Sequence, residues 1–380
     1  MPKMTFAIPC YNMEPWLPVC LESCLYQTEP DIEVLVVNDG STDGSGDVAD
    51  HYAAQDGRVR VIHQTNQGHG KARQMAQDNA KGEFVLFLDA DDFLDRNAVR
   101  DLLAVAERDK VDAVCGNAVV FSDKTFNSRK YFYHPPAANL TFADPRYWKS
   151  KVAWRWIIRR SVLTDNNLEH PPYKSGQDYC FMLQVLTRIE SFSQCGSFFY
   201  FFRQEHKPNR MTMDTLIHHQ FASFLLAKDI LMDAGQIKPV IRFLQENFFR
   251  DVKKLAARLP EEGAEWGIKW LDYALKTFKG LKPEYFTQEF IRPELKLDRN
   301  FVPLAQALCN QDKQTALSLL NSYTPAPSAI SNILPDKERS RFHSWRRRIK
   351  AQLKPLSLRT RFTLRQLERL ADERLRTPVR

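Results

Sequence analysis

Three carboxylates crowd into four positions at Asp89-Ala-Asp91-Asp92, directly after the apolar run Phe84-Val-Leu-Phe-Leu88. Hard oxygen ligands of this kind suit Mg²⁺ or Mn²⁺. The plainer alternative is capping of the helix that starts near Asn97, but one cap does not require three aspartates beside a buried strand. Pro9-Cys-Tyr11-Asn12 follows Thr5-Phe-Ala-Ile8, and Asn38-Asp39-Gly40 follows Val34-Leu-Val-Val37. Both runs carry polar groups that a mere connection does not need, although Asp-Gly and Ser-Thr-Asp-Gly form turns in any protein. Asn66-Gln-Gly-His-Gly-Lys-Ala-Arg73 contains Gly68-x-Gly70, the opening of a dinucleotide loop. Its third glycine position holds Arg73, and it follows the third strand rather than the first, so that reading fails. Gly176-Gln-Asp178 precedes the apolar stretch Tyr179 to Leu186, where Asp178 is either a proton acceptor or a helix cap.

These residues need a scaffold. Thr5 to Ile8, Ile32 to Val37, Arg60 to Ile62 and Phe84 to Leu88 are short, apolar and rich in β-branched or aromatic residues, which predicts strands. Stretches of helical length and turn clusters such as Asn38-Asp-Gly-Ser-Thr-Asp-Gly-Ser45 separate them. That rhythm predicts a parallel α/β sheet with ligands at the carboxyl ends of its strands, where the unusual residues cluster. From about Ala113 to Arg210 the pattern is mixed and aromatic. From about Met213, apolar residues recur at helical spacing, Ile217, Phe221, Phe224 and Leu225 among them, and similar stretches run to about Tyr323. Ser322-Tyr-Thr-Pro-Ala-Pro-Ser328 reads as a linker, and no internal repeat is present.

The chain has 380 residues, 43% hydrophobic and 26% charged, which allows a substantial core and more than one domain. It has no run of about 18 apolar residues, and Met-Pro-Lys-Met leads straight into a strand without the regions of a signal peptide. A cytoplasmic protein is expected. Cys10, Cys20, Cys24, Cys115, Cys180, Cys195 and Cys309 include no CxxC pair and sit mostly in apolar runs, which predicts reduced core residues. The net charge of +8 is uneven. From Asp336 to Arg380 there are 15 Lys and Arg against 5 Asp and Glu, a net of +10, on a body near neutral at −2. Such a segment favours an anionic partner. Phe342, Trp345, Ile349 and Leu353 make one apolar stripe among its basic residues, as in helices that lie in a membrane interface.

The runs FAIPCYN, EVLVVNDGSTDGS, NQGHGKARQMA and AKGEFVLFLDADDFL, in this order and spacing, resemble the family 2 glycosyltransferases of GT-A fold. The resemblance is strong for residues 1 to about 110, weaker to about 213, and stops there. Such enzymes bind a nucleotide-sugar donor whose diphosphate must be held and then stabilised as it leaves. The resemblance implies that Asp89 faces the ribose and that Asp91 ligates Mn²⁺ or Mg²⁺, the diphosphate supplying the remaining oxygens. It also implies that Asp39 accepts an N–H of a pyrimidine base such as uracil, with Pro9 and Tyr11 lining the same pocket. Arg73 would pair with phosphate or with a site aspartate. Asp178 would be the catalytic base of an inverting reaction, at a position that usually reads Glu-Asp and here reads Gln177-Asp178. Tyr200-Phe-Phe-Arg203-Gln-Glu-His206 and Arg210-Met-Thr212 resemble, with one extra residue, the family's aromatic-Arg-x-His-x-x-Ser-x-Thr segment. There His206 would ligate metal or phosphate, with Arg203 or Arg210 as its electrostatic partner. Trp154-Arg-Trp156 with Arg159-Arg160 reads equally as an acceptor wall that stacks on sugar rings or as a half-buried strand with solvated arginines.

The expected architecture is an α/β GT-A catalytic domain at 1–213, a helical C-terminal region at 214–330 and a basic amphipathic tail at 331–380. The expected activity is metal-dependent, inverting transfer of a sugar from a UDP-sugar to a hydroxyl of a glycan or lipid-linked acceptor in cell-surface polysaccharide or lipopolysaccharide synthesis. The tail would rest on the anionic inner face of the cell membrane, and no nucleic acid is expected as a partner. A nucleotidyltransferase that makes the sugar donor is a second reading, against which stands the lack of an early Gly-rich triphosphate loop. A nucleotide-sugar-binding protein of impaired catalysis is a third, favoured by Gln177.

Overall fold

The computed structural model describes residues 1–122, 128–142, 144, 147, 152–204, 211–287 and 301–323. They fall into two compact units, one ending at Leu244 and the other beginning at Gln245. His206, Arg210, the linker beyond Tyr323 and the basic tail at 331–380 lie outside the described residues.

In the first unit, β1 (Met4–Cys10), β2 (Ile32–Asp39), β3 (Val59–Gln64) and β4 (Phe84–Phe87) run parallel in the order β3-β2-β1-β4. The connecting helices are α1 (Leu17–Leu25), α2 (Ser45–Gln55) and α3 (His69–Asn79). Every residue of β1, β2 and β4 is buried, which is why these strands read as continuous apolar runs rather than alternating ones. Phe6, Ile8, Val34, Val36 and Leu86 share one core with Leu17, Cys20 and Leu21 of α1 and with Val99 and Leu102 of α4 (Ala98–Asp109). Phe87 instead meets Phe181 edge-on, with ring centroids 5.4 Å apart. Phe181 belongs to α6 (Gln177–Leu186), the sixth helix after the short α5 (Arg160–Asp165).

The sheet continues past β4 through β9 (Trp156–Arg159), β6 (Ala113–Phe121), β10 (Phe192–Arg203) and the two-residue β5 (Phe93–Leu94). β7 (Ser128–Phe132) borders β6, and β8 (Ala137–Leu140) borders β10. β5 and β10 are antiparallel, with Phe93 opposite Phe201. That register sets the residues just before Phe93 beside those just after Phe201, so Asp91 and Asp92 meet the end of β10.

Trp154 and Trp156 are 3% and 0% exposed, so neither walls an acceptor site. Trp154 stacks on Tyr200 at 4.2 Å, and the buried Arg155 donates to the Gly116 carbonyl and to Gln194. Arg159 pairs with Glu83 and Asp112, and Arg160 donates to the Gly82 carbonyl. The described cysteines are all free, and all but Cys309 are buried, as their apolar settings predict.

A π-helical turn (Thr215–Phe221), α7 (Ala222–Asp233) and α8 (Ile237–Phe243) complete the first unit, where Tyr179 of α6 stacks on Phe243 at 4.3 Å. The second unit is helical, with Phe248, Trp270, Phe278, Leu304, Leu308 and Leu320 in its core. Among the described residues no helix is long and apolar enough to cross a membrane.

Candidate active site

The connections after β1, β2 and β3 are laced together at the carboxyl ends of their strands. Asn12, held at φ 55°, accepts the Thr42 amide through its side chain and donates its own amide to the Ser41 hydroxyl. Glu14 accepts from the Gly44 amide, and its own amide donates to Asp43. Asp39 is 3% exposed. It accepts from Gln64 Nε2 at 2.7 Å, the Gln67 amide at 2.8 Å and the Gly68 amide at 2.9 Å. Three donors on one carboxylate fix the loop that enters α3, and Gly68 there takes φ 89°, a region open chiefly to glycine. Pro9 is buried in β1, and Tyr11 beyond it is 44% exposed.

The three aspartates after β4 have three different settings, and none caps α4. Asp92 is 1% exposed and accepts from the Tyr200 hydroxyl and the Arg203 amide, both at 2.7 Å. Burial, with Asp91 and Asp89 close by, pushes its proton affinity well above the carboxylate range. Asp92 therefore pins this turn to β10. Arg203 completes the pin, donating from Nε to the Asp91 carbonyl at 2.6 Å, with its guanidinium near the Phe93 and Phe121 rings. The Asp91 carboxylate makes no hydrogen bond to another described side chain, and burial together with Asp89 raises its pKa to about 6 against the opposing pull of its own amide and Arg203. No three His, Cys, Asp or Glu side chains among the described residues gather closely enough to hold an ion alone. The donor set on offer is one carboxylate whose burial the nearby Arg203 charge only partly offsets, which fits a cation sharing its other ligands with a phosphate.

Arg73 joins the two halves of the site. It is 1% exposed, on the second turn of α3, and donates from Nη2 to Asp89 at 2.7 Å and from Nη1 to Asp178. Burial opposes its charge, but the two carboxylates outweigh that and keep it protonated. Burial likewise works against ionised Asp89, and Arg73 and His69 overcome it, so Asp89 titrates below the ordinary range. Asp178 stands in the first turn of α6, whose N-cap is Gly176 at φ 79°. It makes no cap hydrogen bond; one oxygen holds Arg73, and Oδ2 has no partner among the described residues. Asp89 and Asp178 thus meet on Arg73, Asp39 holds the loop that leads into the same helix, and the Asp91 carboxylate lies near Asp89.

Sequence reasoning missed Tyr200, whose hydroxyl meets both Asp92 and, at 3.3 Å, the Asp89 amide. It also missed His69, 3.7 Å from Asp89. His69 lies four residues before Arg73, which places both on one helix face and was the available signal.

Four parallel strands within a mixed sheet, with carboxylates gathered at their carboxyl ends, form the setting in which α/β proteins bind their ligands. Residues 5–166 match the model of Glycosyl transferase family 2. An uncharacterized glycosyltransferase of Haemophilus influenzae is 38% identical over 50% of this chain and 74% of its own length. This chain belongs to glycosyl transferase family 2. The poly(ribitol-phosphate) beta-glucosyltransferase of Bacillus spizizenii is 27% identical over 79% of this chain and 48% of its own. The crystal structure of S. aureus TarS 1-349 in complex with UDP-GlcNAc shares the fold at 20% identity, with a TM-score of 0.70 over 84% of this chain and 91% of that one. The chain spans 63%, 51% and 43% of the lengths of the first curated relatives it matches.

Proposed function

We propose that this chain transfers one sugar from a nucleoside diphosphate sugar, a UDP-sugar in the simplest case, to a hydroxyl of a glycan or lipid-linked acceptor in bacterial surface polysaccharide synthesis. The observation that carries the reading is the Arg73 bridge, in which one buried guanidinium holds Asp89 on the donor side and Asp178 on the acceptor side. Family membership supports sugar transfer, and the resemblance to a poly(ribitol-phosphate) glucosyltransferase supports a surface polymer as acceptor.

Arg73 holds one oxygen of Asp178 and so fixes its rotation, while Oδ2 is left to take the proton from the acceptor hydroxyl as that oxygen attacks the anomeric carbon. The bond from that carbon to the β-phosphate oxygen breaks as the new bond forms on the opposite face. A single displacement of this kind inverts the carbon and needs one base. Asp91 would hold Mn²⁺ or Mg²⁺ with the diphosphate oxygens, and the ion would supply positive charge against the charge that builds on the leaving group. Asp39 would serve the nucleotide by holding the 66–68 loop in place as well as by any contact with the base. Gln177, in place of the family's glutamate, leaves the base intact and removes one negative charge beside it.

Product analysis after incubation with a panel of nucleotide sugars tests the reading. Release of free nucleoside diphosphate is expected, in an amount equal to the sugar transferred. Release of pyrophosphate points to a nucleotidyltransferase, and binding without release points to a catalytically impaired binding protein. The net +10 of residues 336–380 supports attachment to an anionic membrane surface at the inner face of the cell membrane. Removal of 337–380 should then abolish sedimentation with anionic vesicles.

A further inference from the structure

His69 opens α3 one turn before Arg73, and both side chains are directed at Asp89. Arg73 Nη2 reaches Asp89 Oδ1 at 2.7 Å, whereas His69 Nε2 stops 3.7 Å from the same oxygen, beyond hydrogen-bond distance. The His69 side chain is 43% exposed and has no hydrogen-bond partner among the described residues. Asp39, Arg73, Asp89 and Asp178 all act on it electrostatically, so it stands among the charged groups of the cleft. Burial of part of the ring and the Arg73 charge lower its proton affinity below the ordinary histidine value, which leaves the ring neutral at pH 7 with one N–H and one lone pair. A neutral ring has no charge with which to pair a phosphate, and it suits a hydroxyl. A hydroxyl set beside the ring and Asp89 accepts from the imidazole N–H and donates to the carboxylate, so the ring gains the partner it lacks and Asp89 adds a second hydrogen bond to the one it accepts from Arg73.

We propose that His69 is a donor-recognition residue whose imidazole and the Asp89 carboxylate share one ribose hydroxyl of the bound nucleotide. The inference rests on reading the chain as a nucleotide-sugar transferase, and it adds a recognition residue that aspartates alone do not provide. His69 is exposed and begins a helix, where alanine is a good former, so His69→Ala leaves the fold intact.

The test is calorimetric binding of the tightest-binding member of UDP, GDP and ADP, and of its 2′-deoxy and 3′-deoxy forms, to the wild-type chain and to His69→Ala in the presence of Mn²⁺. The ribonucleotide should weaken about five- to tenfold in the variant, the size of one hydrogen bond. The deoxy form that lacks the shared hydroxyl should bind both proteins within about twofold of each other. Ribonucleotide affinity within about twofold of wild type overturns the inference, as does an equal loss for all three nucleotides, which puts the ring elsewhere on the ligand. Absence of binding by the wild-type chain overturns the donor reading itself and the inference with it.

Discussion

Arg73 donates to Asp178 across 105 positions of sequence, so a helix of the expected nucleotide-binding half holds the expected base of the acceptor half. The same guanidinium holds Asp89 at 2.7 Å. Arginine suits this place because its planar fork satisfies two carboxylates in two directions while staying charged when buried. Arg73→Met leaves two carboxylates facing each other in a partly solvated cleft. Urea unfolding should show a loss of about 2–4 kcal/mol, discounted because both carboxylates keep some access to water, and donor turnover should fall at least about a hundredfold. Arg73→Lys, which keeps the charge and loses the fork, should fall between. An Arg73→Met protein of wild-type stability would contradict the bridge.

Asp39 is expected to act on the nucleotide through the loop it holds. Asp39→Asn replaces one accepting oxygen by a donor that faces the Gly68 or Gln67 amide. The loss should be about 1–3 kcal/mol in unfolding free energy, together with roughly tenfold weaker nucleotide binding by calorimetry as the loop is released. Unchanged unfolding together with weakened binding would mean that Asp39 touches the base and does not support the loop.

His170 predicts an acid-sensitive fold. It is 3% exposed and stacked on Phe181 at 3.8 Å, and neither ring nitrogen has a hydrogen-bond partner among the described residues. Burial, with Arg73 and His69 nearby, holds its proton affinity well below the histidine range. A depressed histidine stabilises the fold fully above its unfolded pKa of about 6.5, and that stability is lost as pH falls because only the unfolded chain takes up the proton. His170→Phe should therefore melt at or above the wild-type temperature at pH 7.5, and the difference in its favour should grow at pH 5.5. A difference that does not change with pH would contradict the neutral buried ring.

Gly176 sets the start of α6 and with it Asp178. Its φ of 79° disfavours any side chain, and a Cβ there runs into Ser223. Gly176→Ala should lower kcat on the order of tenfold by displacing the base while leaving donor affinity within about twofold, measured by steady-state turnover beside calorimetry.

Much of the first unit was legible because its strands are buried on both faces and end in turn residues. Thr5 to Ile8 and Ile32 to Val37 lie within β1 and β2, two residues short at their carboxyl ends. Asp39, Arg73, Asp89 and Asp178 were singled out by residue type and motif, but the sequence left Arg73 open between a phosphate and an aspartate. Only packing of α3 against α6 decides such a contact. Trp154 and Trp156 show the same limit from the other side, since aromatic residues suit a sugar-binding wall and a core equally; the position of β9 between β4 and β6 makes Trp156 core, and the stack on Tyr200 does so for Trp154. Helical spacing revealed Ala222–Asp233 without saying that α6 is what it packs against.

The central claim is that Asp178 removes the acceptor proton while bound to Arg73. Asp178→Asn preserves the shape and, through its amide oxygen, the Arg73 contact, but it takes away the capacity to accept a proton. The decisive measurement is single-turnover transfer at saturating donor, with donor Kd measured on the same protein. The account predicts that the rate falls at least about a hundredfold while the donor Kd changes less than about threefold. A variant that keeps its rate at saturation and loses donor binding would contradict it, because Asp178 would then belong to the donor site.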